Sequence, residues 1–320
     1  MYACIDLGSN SFHLLIGEWE DGRIQIIERL SEKVQLGGNV NINGYIAPET
    51  FERGQSCLRR FKLLMKQYPV KRYWALGTNT FRIANNAEEF IQAAKVKGID
   101  ISVISGAQEA VLIYAGVITA LPLSERRRLI VDIGGGSTEI IVGQKHDRVL
   151  TESLIIGSVS WRDRFFRSAQ QKSGIILEHM DLGVAAAKQV FESISPSIER
   201  AEWDETYASS GTVKMLAFIC EAHGYGENQI QLTALHNLKG KIAKCIADGS
   251  NLAGLKQRRR DLLLPGWCIL VGLMESYKVE TINFSATALR EGMLDFMVKN
   301  EKTLQALETS QLPEVSFAKG

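Results

Sequence analysis

The stretch LIVDIGGGSTEIIVG, residues 129–143, sets an acid, three consecutive glycines and two hydroxyl side chains between two runs rich in β-branched aliphatics. Short apolar runs bounded by small, turn-forming residues favour strand, tight turn, strand over a helix. The same pattern stands near the N-terminus in ACIDLGSNSFHLLIG, residues 3–17, where Asp6 falls on Asp132, Gly8 on Gly134, Ser11 on Ser137 and Gly17 on Gly143. Each copy runs on into a further strand pattern, RIQIIERL and RVLTESLII. A repeat this widely spaced, followed each time by alternating strand and helix patterns, predicts two similar α/β domains facing one another across a shared cleft lined by the turns.

In the first half, helical periodicity covers residues 50–67, 87–96 and 107–120, interleaved with the strands KRYWALG and DISVIS. In the second half it covers 160–171, 179–199, 212–222, 232–248 and 266–278, with strands at ETYASSG and TINFSA. The polar LPLSERRR, residues 121–128, reads as the hinge. The expected partition is an N-terminal domain of residues 1–123, a C-terminal domain of residues 124–300 and a terminal helix and tail at 301–320.

Length and composition set bounds on function. The 320 residues are 45% hydrophobic and 23% charged, enough for two cored domains. A formal net charge of +1 means that any polyanion is held by a local patch, and nothing announces a nucleic-acid polymer as partner. The five cysteines lack C-x-x-C spacing and lie in apolar surroundings, as expected of buried thiols in a reducing compartment. The longest apolar run, LLLPGWCILVGLM, is too short to span a bilayer and contains Pro265, so a soluble cytoplasmic protein without a membrane partner is expected.

The glycines have a chemical use. Without side chains, Gly134, Gly135 and Gly136 let backbone N–H groups approach an anion closely, and Ser137 and Thr138 add hydroxyls at the same turn. Asp132 ends the preceding strand, and one carboxylate beside a phosphate cradle suits Mg²⁺ or another divalent cation. A flexible hairpin is the plain alternative, against which the duplication argues. Walker and Rossmann glycine motifs, a G-x-S-x-G elbow and an H-E-x-x-H helix are all absent.

In VISGAQEAVLIYAG, Ser105 and Gln108 form a capping box that places Glu109 in the first turn of a helix just past a strand end. Glu109 reads equally well as a water-orienting base, its pKa raised by nearby phosphates, or as a carboxylate placed at the helix dipole. Arg82, after the polar GTNT turn, has the planar fork that suits phosphate; a solvated arginine is the alternative. Ser210, Gly211 and Thr212 in YASSGTVK end a strand before a helix, either as a phosphate holder or as plain N-caps. Two basic runs, SWRDRFFR and KQRRRD, matter only if they line a groove leading to the glycine loops, and His13 beside the first loop reads as structural.

Taken in order, IDLGSNSFHLLI, GTNTFRIANN, SGAQEAVLIYAGV, VDIGGGSTEII, IGSVSWRDRFF, SSGT, RRDLLLPG and SATALREGML resemble the exopolyphosphatase and guanosine pentaphosphate phosphohydrolase family, within the actin, hexokinase and Hsp70-like superfamily. The resemblance implies two actin-like, ribonuclease H-like domains around a central cleft. It implies hydrolysis of the terminal phosphoanhydride of polyphosphate, or of guanosine pentaphosphate as the alternative, with Mg²⁺ as cofactor and a homodimer among the expected assemblies. Residue by residue, it implies Glu109 as the catalytic glutamate that positions water, Asp132 and Glu139 as metal-side acids and Arg82 as the phosphate-binding arginine. The phosphate loops then fall on Gly8, Ser9, Asn10 and Ser11 and on Gly134, Gly135, Gly136 and Ser137. Longer members continue into a helical HD-type domain, so a chain ending at Gly320 is expected to prefer short polyphosphate or a nucleotide. A superfamily kinase would need a sugar-type acceptor site that the sequence does not display, and a non-enzymatic sensor would not need the intact acids.

Overall fold

The computed structural model describes residues 1–20, 23–167 and 173–300, and the expected tail at 301–320 and the end of the helix expected at 160–171 lie outside them. The described chain divides into two compact units, one formed by residues 1–121 together with residues 287–300, the other by Pro122–Ala286.

The first unit begins with β1 (Tyr2–Leu7), β2 (Ser11–Glu20) and β3 (Arg23–Lys33), an antiparallel meander. It continues through α1 (Val40–Asn43), α2 (Pro48–Met65), β4 (Arg72–Gly77), α3 (Asn79–Ile83), α4 (Ala87–Val96), β5 (Ile101–Val103) and α5 (Gly106–Ile118). The sheet order is β3-β2-β1-β4-β5, with β4 parallel to both β1 and β5. Strand alternation sends Ala3, Ile5 and Leu7 into one core with Phe12, Leu58, Phe61 and Phe90. Cys4, Leu15 and Trp74 are buried as well, which is why these central strands read as continuous apolar runs.

The second unit repeats the plan. It comprises β6 (Arg128–Ile133), β7 (Thr138–Gln144), β8 (Asp147–Leu154), α6 (Ser158–Phe165), α7 (Ser173–Glu192), α8 (Ser195–Ala201), β9 (Glu205–Ser209) and α9 (Ser210–Ala222). Then come β10 (Gln229–Gln231), α10 (Leu232–Asp248), a 3₁₀ turn at Gln257–Leu262, α11 (Leu263–Ser276) and β11 (Thr281–Phe284). The sheet order, β10-β11-β9-β6-β7-β8, has the same meander, with β9 parallel to β6 in the place that β4 takes beside β1. Leu129, Val131 and Ile133 face a helical core that includes Leu216, Trp267 and Leu270.

Two expectations are corrected. The helix expected at residues 179–199 is two helices, because Pro196 has no N–H to continue α7 and instead sits in the first turn of α8. The last described helix, α12 (Leu289–Lys299), was expected in the second domain and belongs to the first unit. It lies on α5 with backbone against backbone: a Cβ on Gly116 would overlap the Ala288 carbonyl, and one on Gly292 the Leu112 carbonyl. Its Phe296 ring stands 5.5 Å from Trp74, covering the sheet face opposite α2. All five cysteines are free thiols and buried. Among the described residues, no helix is long and apolar enough to cross a membrane.

Candidate active site

The two repeated turns are four-residue loops of one design. Leu7 pairs with Phe12 and Ile133 with Thr138, leaving residues 8–11 and 134–137 as the connections. In each, the carbonyl of the fourth residue lies over the first glycine: an added Cβ would stand 3.1 Å from the Ser11 oxygen at Gly8 and 3.0 Å from the Ser137 oxygen at Gly134. The second loop is closed by a 2.9 Å bond from the Gly134 N–H to the Ser137 carbonyl. The start of α6 then wraps it, with the Ser158 N–H donating to Gly134 at 2.9 Å and the Val159 N–H to Gly135 at 2.8 Å. The first loop is braced by Thr80, whose hydroxyl donates to Ser9 Oγ at 2.8 Å. Asn10 is buried, donates to Ser11 Oγ at 3.2 Å, and leaves its Oδ1 without a hydrogen-bond partner.

In the first unit the structure brings Arg82 and Glu109 together. One guanidinium nitrogen of Arg82 donates to Glu109 Oε2 at 2.9 Å and to the Ile104 carbonyl, also at 2.9 Å. The Glu109 side chain is 10% exposed and that of Arg82 20%, so the pair is mostly withdrawn from water yet reachable. The capping box expected from Ser105 and Gln108 is present and fixes the first turn that carries Glu109.

In the second unit, Asp132 and Glu139 are directly paired on β6 and β7. Ser209 of β9 is in register with Asp132, and Ser153 of β8 with Glu139. The four side chains therefore form one row across four strands, on the sheet face opposite the helical core. Ser209 Oγ donates to Asp132 Oδ2, and Ser153 Oγ donates to Glu139 Oε1 at 2.9 Å. Glu139 is only 1% exposed, whereas Asp132 is half-buried, so Asp132 is the more accessible of the two acids. Among the described residues no group of three or more His, Cys, Asp or Glu is placed to hold a metal; a pair of carboxylates suits a cation completed by phosphate oxygens and water.

At the start of α9, Ser210 has φ 103°, a strained value for a residue with a side chain. Its Oγ accepts the Thr212 N–H at 3.1 Å and the Val213 N–H at 3.2 Å, so Ser210 caps the helix and keeps only its own hydroxyl proton to give. The Arg259 guanidinium lies directly over Gly211, its Cζ 2.6 Å from where a Cβ would stand. Burial and the neighbouring Arg258 push the Arg259 pKa down, while Asp261 opposes them. The rest of the basic runs is largely spent on structure. Arg162 is tied to Asp163 and Asp261, Arg164 lies over the Trp161 and Phe165 rings, and Arg260 donates to the Cys245 and Ser250 carbonyls.

Thr80, Ser153 and Ser209 escaped the sequence reading, and Arg259 was not separable from its basic run. Ser209 had a signal, since it ends a strand parallel to the one that ends at Asp132; Ser153 had none.

Comparison with known proteins bears on the family and the fold. The model of the Ppx/GppA phosphatase family matches residues 15–301. A curated relative from Pseudoalteromonas translucida (strain TAC 125), named guanosine-5'-triphosphate,3'-diphosphate pyrophosphatase, is 35% identical over 300 residues. That match covers 93% of this chain and 59% of the relative, so the chain spans about three fifths of the relative's length. An exopolyphosphatase from Cytophaga hutchinsonii ATCC 33406 superposes with a TM-score of 0.82 at 26% identity, covering 93% of this chain and 98% of the other. The Aquifex aeolicus member of the Ppx/GppA family superposes with a TM-score of 0.75 at 25% identity, covering 94% of this chain and 98% of its own. By sequence across nearly its whole length and by the two-unit α/β fold, the chain belongs to the Ppx/GppA phosphatase family.

Proposed function

We propose that the chain hydrolyses the terminal phosphoanhydride of inorganic polyphosphate, releasing phosphate. The observation that carries this reading is the mostly buried Arg82–Glu109 pair, joined at 2.9 Å in a unit that also presents one copy of the repeated glycine loop. The Arg82 guanidinium fixes the Glu109 carboxylate in place, so the role of Glu109 is to align a water for in-line attack and to accept its proton. The water oxygen bonds to the terminal phosphorus, the bridging P–O bond breaks, and the electron pair leaves with the shortened chain. Loop amides and Arg82 hold the oxyanions, so catalysis rests on positioning and charge stabilisation, without a covalent intermediate. The orphaned amide of Asn10 fits this: with its oxygen and nitrogen exchanged, it offers an N–H₂ donor at the first loop. Asp132, with Glu139 behind it, would hold Mg²⁺ or another divalent cation, which neutralises phosphate charge when bound.

A second reading has its own support. The curated relative's name favours guanosine pentaphosphate, whose 5' terminal phosphate presents the same bond.

Phosphate release with Mg²⁺ from short polyphosphate, long polyphosphate, guanosine pentaphosphate and ATP decides between them, with Glu109→Gln in parallel. The expected result is release from polyphosphate, lowered about 100-fold or more in the variant while binding persists. Near-normal turnover of the variant removes Glu109 from this role. Release from guanosine pentaphosphate alone moves the assignment to the second reading. Binding without release from any substrate makes the protein a sensor.

A further inference from the structure

Residues 34–48, VQLGGNVNINGYIAP, hold no charged side chain, in a chain of which 23% is charged. This segment rests on the first glycine loop. The Val34 and Gln35 N–H groups donate to the Asn10 carbonyl at 3.1 and 2.8 Å, and the Gly37 N–H donates to the Ser9 carbonyl at 2.8 Å. A Cβ on Gly37 would stand 2.6 Å from Thr80 Oγ1 and 2.7 Å from Ser9 Cβ, so segment, loop and α3 meet there. The far end is pinned just past α3. The Asn85 N–H donates to the Gly44 carbonyl at 2.8 Å, and the Asn86 side chain accepts the Ile46 N–H at 2.8 Å and donates to the Ile46 carbonyl at 3.0 Å. Between these anchors Tyr45 is 55% exposed, and Ile42, three positions earlier on α1, is 52% exposed. Asn41 and Asn43 are exposed on either side of Ile42.

Single exposed apolar side chains are ordinary. Here an aromatic ring, an aliphatic side chain and two carboxamides are presented together by a backbone already fixed at both ends, so little ordering remains for a ligand to impose. A ring face stacks on a planar heterocycle, and each carboxamide offers a donor and an acceptor to its edge. An uncharged surface does little for a bare phosphate chain, which sets the segment apart from the glycine loop beneath it. Thr80 at Ser9 and Asn85 at Gly44 stand roughly 10 Å apart through α3, within the span from terminal phosphate to base in a nucleoside triphosphate.

We propose that residues 41–45 form a nucleobase platform, in which Tyr45 and Ile42 stack on the base of a nucleoside polyphosphate whose terminal phosphate lies at the first glycine loop. The inference rests on the phosphatase reading and adds to it: the same site takes a nucleotide with a gain in affinity that inorganic polyphosphate has no group to draw on.

The test is equilibrium binding of guanosine 5'-triphosphate, adenosine 5'-triphosphate, ribose 5'-triphosphate and inorganic triphosphate. Glu109→Gln is compared with Glu109→Gln/Tyr45→Ala, so that no ligand is consumed. In Glu109→Gln, a nucleoside triphosphate should bind about tenfold more tightly than ribose 5'-triphosphate, which lacks only the base. Tyr45→Ala should remove that difference and leave the two ligands without a base within about twofold. Tyr45→Trp should keep it, which separates lost stacking from lost folding. Whichever nucleotide shows the larger difference names the base. No preference for a base in Glu109→Gln, equal weakening of all four ligands by Tyr45→Ala, or a changed oligomeric state of that variant, which would make the patch a contact with a second copy, each overturns the platform. Phosphate release by the parent chain is measured separately. Base preference without release keeps the platform and removes the phosphatase reading, and release without base preference does the reverse.

Discussion

At the scale of single residues, the Arg82–Glu109 pair makes a prediction that does not depend on substrate. Arg82→Gln leaves Glu109 charged and mostly buried without its guanidinium, and should cost about 2 kcal/mol in denaturant unfolding. Adding Glu109→Gln should return part of that loss, because a neutral amide no longer needs the cation. Equal stability of the single and double variants would mean the pair carries no such coupling. Glu109 was legible in the sequence because Ser105 and Gln108 announce a helix start beside it. Its partner was not legible, since Arg82 stands 27 positions away and only the parallel placement of β4 and β5 joins the two. The same limit hid Ser153, which is in register with Glu139 across two strands and leaves no trace in linear spacing.

At the scale of elements, the crossing of α5 and α12 is set by two glycines. Gly116→Ala or Gly292→Ala places a methyl group on a facing carbonyl, and the helices must separate; a loss of about 3 kcal/mol or more is expected, read as a lower Tm of the first unit. A second element-level contact ties β3 to α2. Glu32 accepts from Arg60 Nε at 2.8 Å, and that bond holds its carboxyl below the ordinary value, with burial opposing. A depressed carboxylate contributes stability above its unfolded pKa and loses it as pH falls through the folded one. Arg60→Gln should therefore cost under about 1 kcal/mol at neutral pH, since Arg60 is exposed, and nothing once the solution is acid enough to protonate Glu32 in both states. Most elements were readable from periodicity, α4 and α10 to the residue. Those that were not are short, such as α1, α3 and β10, or depend on a distant surface. LREGMLDFMVK, the sequence of α12, says that a helix forms and nothing about which unit it covers.

For the whole molecule, the internal repeat proved to be a repeat of sheet order as well as of sequence. Its two turns were legible because each sets a glycine at its first position, where a Cβ would crowd the carbonyl of the fourth residue. The partition into units was not, because contact, not chain continuity, defines them. The cysteines give a way to follow each unit. Cys4 and Cys57 belong to the first and Cys220, Cys245 and Cys268 to the second, all buried. Burial pushes the Cys220 thiol up to about 11 and that of Cys268 higher still, so neither is a thiolate at neutral pH. Thiol reagents should leave the native chain unlabelled and, along a denaturant series, modify two cysteines with one transition and three with the other. Rapid labelling of any of the five before unfolding would contradict the buried assignment.

The return of α12 to the first unit also orders the making of the protein. A ribosome delivers β1 to α5 first, yet the helix that covers Trp74 and Gly116 emerges only after all of Pro122–Ala286 has been synthesised. The second unit, contiguous in the chain, has its full set of elements while the first still waits with an uncovered apolar face. In a nascent chain the part translated earliest is thus the last to be finished.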